Sequence, residues 1–219
     1  MLKSKSKRSI RTLLQVGKNA RDIAWLTEAL QNAIELEHAT LPPYLTGFWS
    51  VKNNSVAQSI KNIVLDEMCH MGLVCNMLVA IGGKPEINTV GAVPTYPGHL
   101  PGDVRPELTV YLAGLSKSIV AEVYMEIEYP ENGPVKLFLG ETYPTIGAFY
   151  RAIAGSWEEI LSDSDLITEG QLTSSVGSDV VVISTVQEGL DAIERITREG
   201  EGTSTTPFED GDSGTVAHY

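Results

Sequence analysis

The chain has 219 residues, 42% of them hydrophobic, which is enough for one medium-sized hydrophobic core. Its formal net charge is −12, with an isoelectric point near 4.7, and this balance argues against nucleic acid as a partner because phosphate binding needs a basic surface. No apolar run is judged long enough to span a membrane, and the basic N-terminus lacks the apolar segment of a secretory signal.

The first long helix is predicted to begin at Asp22, a residue type that caps helix N-termini, after a polar tail over residues 1–21. Glu37 interrupts the apolar stripe of this helix at a core position. The stripe comprises Leu26, Leu30, Ala33, Glu37, Leu41, Tyr44 and Phe48. His38 points away from this stripe and is expected to lie near the site without binding the metal. The proline pair at 42–43 predicts either an end or a kink, since proline cannot donate a backbone hydrogen bond.

The second helix is predicted to run to Ile81 and to end at the glycine pair 82–83. Glu67 and His70 are spaced to share one helix face, at positions where the apolar stripe places core residues. Burying them costs free energy unless they are paired or bound to metal. A Glu-x-x-His pair on an inward face is typical of carboxylate metal sites in helical bundles, and a chance polar pair is the alternative.

Two cysteines, Cys69 and Cys75, lie on this same helix and face different ways. A disulfide between them is not expected, and a reducing, cytoplasmic compartment is the prediction.

A proline-rich crossover over residues 84–106 is predicted to be irregular, with His99 solvated in it. A third helix is predicted from Pro106 to about Glu128, in one of two registers. The first register turns Leu112, Leu115, Ile119, Glu122 and Glu126 inward. The second turns Ser116, Val120, Val123 and Ile127 inward and leaves the carboxylates outside.

The C-terminal third is predicted to contain a helix over residues 145–161 and a strand-like run at 180–183. Ser184 and Gln187 form a predicted capping box for a helix that ends near Gly200. The whole pattern predicts an all-α helical bundle with long irregular crossovers.

Carboxylates on three inward helix stripes, one of them beside a histidine, indicate a metal site. Glutamate and histidine without usable cysteine favour iron or manganese, with zinc as a further candidate. The alternative is a buried hydrogen-bonded network that holds no metal.

Several segments share their pattern with a known family. The most specific are Thr40-x-Pro42-Pro43-Tyr44 and Glu67-x-x-His70. Others are Asn76-x-Leu78-x-Ala80-Ile81-Gly82-Gly83-x-Pro85, Ile127-Glu128-x-Pro130-Glu131, Thr145-Ile146-Gly147-x-Phe149-Tyr150, Glu199-Gly200-Glu201-Gly202 and Ala217-His218-Tyr219. Together these segments of residues 22–219 resemble the ferritin-like domain of iminophenyl-pyruvate dimer synthases, which are violacein and rebeccamycin pathway enzymes, and of their stand-alone relatives.

The resemblance implies a ferritin-like metal-binding domain over residues 22–219. The metal ligands that it implies are Glu37, Glu67, His70, Glu122 and His218; Glu126 and Glu128 are the alternatives on the third helix. The chain departs from the family pattern at Ala148 and Thr215, where glutamate is usual, and it ends one residue after His218. The fourth helix is therefore expected to be incomplete, and a second copy or another chain is expected to supply the missing wall.

We interpret the chain as an iron-dependent oxidoreductase or related metalloenzyme that acts on a small organic molecule in secondary metabolism. Glu67, His70 and Tyr44 are the candidate catalytic residues. Because Thr215 replaces a bridging carboxylate, a mononuclear site is expected in place of a di-iron site. The alternatives are a non-catalytic metal-binding or scaffold module, and a cofactor-independent enzyme with Glu67 or His70 as acid or base.

Overall fold

The computed structural model describes residues 8–128, 145–174 and 180–200. Its helices are α1 (Ile10–Leu14), α2 (Ile23–Ser50), α3 (Asn54–Ala80), α4 (Lys117–Ile119), a π-helical turn (Val120–Tyr124), α5 (Met125–Ile127), α6 (Ile146–Ile160) and α7 (Val186–Glu199). Three-residue 3₁₀ turns lie at Lys18–Ala20, Pro101–Asp103 and Asp163–Asp165. Within the described residues the β pairing is a single bridge between Gly98 and Val110. The predicted all-α fold is thus confirmed, and the run at 180–183 forms no strand.

The long helices α2 and α3 form the centre of the bundle. Asp22 caps α2 as predicted, because its Oδ1 accepts a hydrogen bond from the Trp25 amide at 2.8 Å. Asn53 caps α3 in the same way. The short turn between the two helices makes them antiparallel neighbours, and their apolar faces meet in the core.

Helix α2 continues through its proline pair and ends at Ser50. A proline at position 43 cannot donate to the carbonyl of Ala39, one turn earlier. The hydroxyl of Tyr96 donates to that carbonyl instead, at 2.6 Å. The Tyr124 hydroxyl donates to the Pro43 carbonyl at 2.8 Å. Side chains from the crossover and from the π-helical turn therefore satisfy backbone groups at the proline pair.

Helix α1 packs into the core through two of its residues, so the predicted polar tail over 1–21 is wrong in this part; residues 1–7 lie outside the described chain. Ile10 and Leu13 are fully buried. The indole Nε1 of Trp25 donates to the Leu13 carbonyl at 3.0 Å.

The third helix starts later than predicted, at Lys117, because Ser116 caps it by accepting from the Ile119 amide. Upstream of it, Val110 pairs with Gly98 in an antiparallel bridge where a helix was predicted. Neither predicted register forms as a whole. The buried positions are Ile119 from the first register and Val123 and Ile127 from the second, while Ser116 and Glu122 are exposed.

Helices α6 and α7 pack closely against each other at Gly189, where a Cβ would collide with the Trp157 ring. The Trp157 indole donates to the Val186 carbonyl at 3.1 Å. The capping box of α7 uses Thr185 and Glu188, one residue later than predicted. This packing directs the C-terminal end of α7 toward the middle of α3.

Helix α3 is long and apolar enough to cross a membrane, contrary to the sequence expectation, but 61% of its most apolar window is buried within the protein. It is a core helix of the bundle. Its two cysteines, Cys69 and Cys75, are free, as predicted. Burial raises the pKa of the Cys75 thiol to about 11, which keeps it protonated and unreactive.

Candidate metal centre

Glu37 of α2 meets Glu67 and His70 of α3 inside the bundle. Each offers a ligand atom, and these atoms all lie within 4.8 Å of one another. The three side chains are buried, with residue exposures of 6%, 3% and 1%. The structure thus brings together the three residues that interrupt the apolar stripes of the first two helices.

Two buried carboxylates need hydrogen bonds or positive charge close by, because taking an ionised group out of water costs several kcal/mol. Hydroxyl groups supply some of these hydrogen bonds. The Thr40 hydroxyl donates to Glu67 Oε2 at 2.5 Å, and the Tyr150 hydroxyl of α6 donates to Glu37 Oε1. These bonds fix the rotamers of both carboxylates, but neutral donors leave the two negative charges in place.

The imidazole of His70 lies between carboxylates from two different helices. Its Nδ1 is 3.8 Å from Glu37 Oε2, and its Nε2 is 3.4 Å from Glu199 Oε2 at the end of α7. The hydrogen bond from His70, followed by that from Arg195, lowers the pKa of Glu199 to about 2 against a smaller opposing effect of burial. Glu199 is therefore ionised at neutral pH.

A cavity of about 10 Å³ separates the three groups, which is close to the space of one water or one ion. Its described lining contains no lysine or arginine. The lining residues are Glu37, Glu67, His70, Ile146, Tyr150, Ile196, Thr197 and Gly200. A small, enclosed space beside two carboxylates and an imidazole suits a divalent transition-metal ion, since these are hard-to-borderline donors and the ion neutralises the buried charge. The residues present therefore fit a bound metal.

Two other predicted residues lie away from this cavity. Glu122 is on the exposed face of the π-helical turn, where it accepts a hydrogen bond from Tyr111 at 2.9 Å. Its selection as a ligand by depth along the helix is wrong, because the helix turns this side chain to its exposed face. Tyr44 is fully buried but does not line the cavity, and its hydroxyl donates to Glu128 Oε1 at 2.5 Å.

The predicted histidines other than His70 do not line the cavity among the described residues. His38 is half-buried, does not line the cavity, and has no hydrogen-bond partner for its Nδ1 among the described residues. His99 is exposed, as expected, with Nδ1 at 2.9 Å from the Leu108 carbonyl. His218 and Thr215 lie outside the described residues.

Sequence reasoning missed three polar residues around the site, Thr40, Tyr150 and Glu199; a fourth, Glu128, was an alternative ligand of the third helix. Thr40 follows Glu37 by three residues, so helical spacing alone places it near the same face. Tyr150 and Glu199 approach from α6 and α7, and only the tertiary packing shows their place. Glu128, 4% exposed, belongs to the buried pair with Tyr44, beyond the cavity lining.

Comparison with known proteins agrees with this architecture. A family model described as "Ferritin-like" matches residues 30–219. The fold is similar to the crystal structure of a ferritin-like protein from Caulobacter vibrioides, with a TM-score of 0.64 and 26% sequence identity over 81% of this chain and 66% of that one. The chain thus spans slightly less than two thirds of that protein. No curated protein matches the chain.

Proposed function

The chain belongs to the ferritin-like family, and on this premise we propose that Glu37, Glu67 and His70 bind one transition-metal ion, with iron as the first candidate and manganese or zinc as alternatives. We further propose that the protein is an oxidoreductase or related metalloenzyme that acts on a small molecule, in keeping with the resemblance to enzymes of secondary metabolism.

The observation that supports the metal is the convergence of three buried ligand atoms within 4.8 Å. Two carboxylates and one neutral imidazole carry a charge of −2, which one divalent cation balances. A network without metal would have to hold both carboxylates on the Thr40 and Tyr150 hydroxyls and a protonated His70, or keep one carboxylate protonated. One divalent ion balances both charges and needs neither protonation.

A bound iron ion supplies redox or Lewis-acid chemistry at this position. The protein supplies the rest. The Thr40 and Tyr150 hydroxyls orient the carboxylates, and Ile146 and Ile196 provide an apolar lining that limits access of bulk water. We assign Glu67 and His70 to the reacting centre, whereas the buried Tyr44 donates its hydrogen bond to Glu128 and does not line the cavity.

We propose a mononuclear site. The described residues supply one glutamate from α2 and one Glu-x-x-His pair from α3, which is half of the di-metal arrangement of ferritin-like bundles. The sequence places Thr215 where the resemblance expects the second bridging carboxylate. Without that carboxylate two cations would repel each other strongly at short range.

The small size of the cavity favours a second candidate function. About 10 Å³ leaves no room among the described residues for an organic molecule beside an ion. A non-catalytic metal-binding module needs no such room. Turnover of added substrates by the iron-loaded protein distinguishes an enzyme from this module.

Titration of metal-free protein with ferrous iron under anaerobic conditions tests the metal site. We expect one tight equivalent per chain. Two tight equivalents with spectroscopic signs of magnetic coupling would show that the site is dinuclear, and no saturable binding of iron, manganese or zinc would contradict the metal site altogether.

A further inference from the structure

His70 contacts carboxylates from two helices through its two ring nitrogens. Nδ1 faces Glu37 Oε2 at 3.8 Å, and Nε2 faces Glu199 Oε2 at 3.4 Å. The ring is 1% exposed, so water cannot replace either contact freely. The two nitrogens therefore have different partners that are fixed by the packing of α2 and α7 on α3.

Glu199 is not placed to ligate the ion that Glu37 and His70 would share. The two ring nitrogens of an imidazole lie on different edges of the ring, and a ligand must approach each one along its own lone pair. An ion on Nδ1 lies on the Glu37 side, within the cavity. Glu199 does not line that cavity; it lies beyond Nε2.

The position of Glu199 is itself supported. Arg195, one turn earlier on α7, donates from Nε to Glu199 Oε2 at 3.0 Å. Arg198 is a further cation, with Nη2 at 3.5 Å from Glu199 Oε1. The Glu199 side chain is 29% exposed. A carboxylate that is ion-paired with arginine accepts hydrogen bonds and cannot donate them.

We infer that Glu199 is a positioning residue for the metal centre. Its carboxylate accepts the Nε2–H of His70, which fixes the neutral tautomer whose unprotonated Nδ1 can bind metal, and Arg195 holds Glu199 in place. This inference rests on the proposed metal site, and it assigns to α7 a role that neither ligand helix supplies. Carboxylates that accept the second N–H of a metal-bound histidine raise its basicity and fix the ring orientation.

Two measurements on the same set of proteins test the role of Glu199. Long-range ¹H–¹⁵N NMR of the metal-free protein identifies the tautomer of His70, and titration with Mn²⁺ or Fe²⁺ gives the metal affinity. The variants are Glu199→Ala and Glu199→Gln, with Arg195→Gln as a variant that leaves the carboxylate but removes its anchor. Glu194→Gln is the matched control, because Glu194 is exposed on the same helix.

We expect the wild type to hold His70 in the Nε2–H tautomer. Glu199→Ala should give a tautomer mixture and weaken metal binding about 10–100-fold. Glu199→Gln and Arg195→Gln should fall between this variant and the wild type, and Glu194→Gln should match the wild type. Glu199→Gln keeps the side-chain volume, so it remains informative if the alanine variant is poorly folded.

An Nδ1–H tautomer in the wild type would overturn the inference. So would an unchanged tautomer and an affinity within twofold of wild type in both Glu199 variants. If the wild type binds no metal, the proposed metal site fails, but the tautomer measurement still decides whether Glu199 positions His70.

Discussion

Tyr150 of α6 donates its hydroxyl hydrogen bond to Glu37 of α2, and both residues are buried in the bundle. The two lie 113 positions apart in the sequence. Helix α6 thus covers the site formed by α2 and α3 and holds one of its carboxylates. The carboxylate is oriented by the fold as a whole, in addition to its own helix.

Removal of either residue of the Glu-x-x-His pair should remove most of the bound metal. Glu67→Ala and His70→Ala each delete one ligand, while the apolar contacts of α3 still pack. We expect helical content by circular dichroism to stay near the wild-type value and metal content by elemental analysis to fall to a small fraction. Glu122→Ala is the control, because Glu122 is exposed and should leave metal content unchanged.

Equal metal content in wild type, Glu67→Ala and His70→Ala would contradict the ligand assignment. Loss of metal in Glu122→Ala would show that the third helix reaches the site in solution.

The contact between α6 and α7 should tolerate no side chain at Gly189. A Cβ there meets the Trp157 indole, a fully buried ring that has little room to move. We expect Gly189→Ala to destabilise the protein by about 1–3 kcal/mol in urea unfolding. Gly155→Ala in α6 is the matched control: its Cβ meets nothing within 4 Å, and alanine should stabilise the helix by about 0.5–1 kcal/mol. Equal effects of the two variants would contradict the close packing.

Tyr96→Phe should destabilise the protein by about 1–2 kcal/mol, because it leaves the Ala39 carbonyl without the donor that replaces the missing proline N–H. Chemical unfolding measures the loss. Tyr111→Phe removes an exposed tyrosine hydroxyl and its bond to Glu122, so its effect should stay within about 0.5 kcal/mol. A Tyr96→Phe protein as stable as the wild type would show that water or the helix itself satisfies Ala39.

The capping carboxylate of α7 should make stability depend on pH. Hydrogen bonds from Ser184, and then from Thr185, lower the pKa of Glu188 below its ordinary value of 4.5. The charged form is favoured in the folded state, so its contribution is present above pH 4.5 and is lost as the pH falls through the lowered folded-state pKa. The difference in melting temperature between wild type and Glu188→Gln should be positive at pH 7 and should shrink below pH 4.5. A difference independent of pH would contradict this role of Glu188.

The ligand helices were predictable from sequence because their signal is local. Glu37, Glu67 and His70 each break an apolar stripe that otherwise repeats with helical spacing, and buried polar groups at such positions need partners. The third helix misled the prediction because it is short and irregular. The π-helical turn interrupts its regular spacing, so the buried residues come from both predicted registers. Its cap, Ser116, lies ten residues after the start predicted at Pro106.

Tyr150 and Glu199 were not predictable as site residues, since each reaches the centre through the packing of a distant helix. Neither interrupts an apolar stripe at a position that suggests a ligand. Self-association stays a prediction, which light scattering of the purified protein tests directly.

The proline pair of α2 makes the second half of this helix dependent on late parts of the chain. Tyr96 donates to the carbonyl of Ala39, 57 residues earlier in the chain. Tyr124 donates to the carbonyl of Pro43, 81 residues earlier. Closing chain segments of this length has an entropic cost that local helix formation does not have. An isolated peptide of α2 should therefore be helical before Ala39 and frayed after it, and amide hydrogen exchange in the whole protein should protect the two halves in different cooperative units.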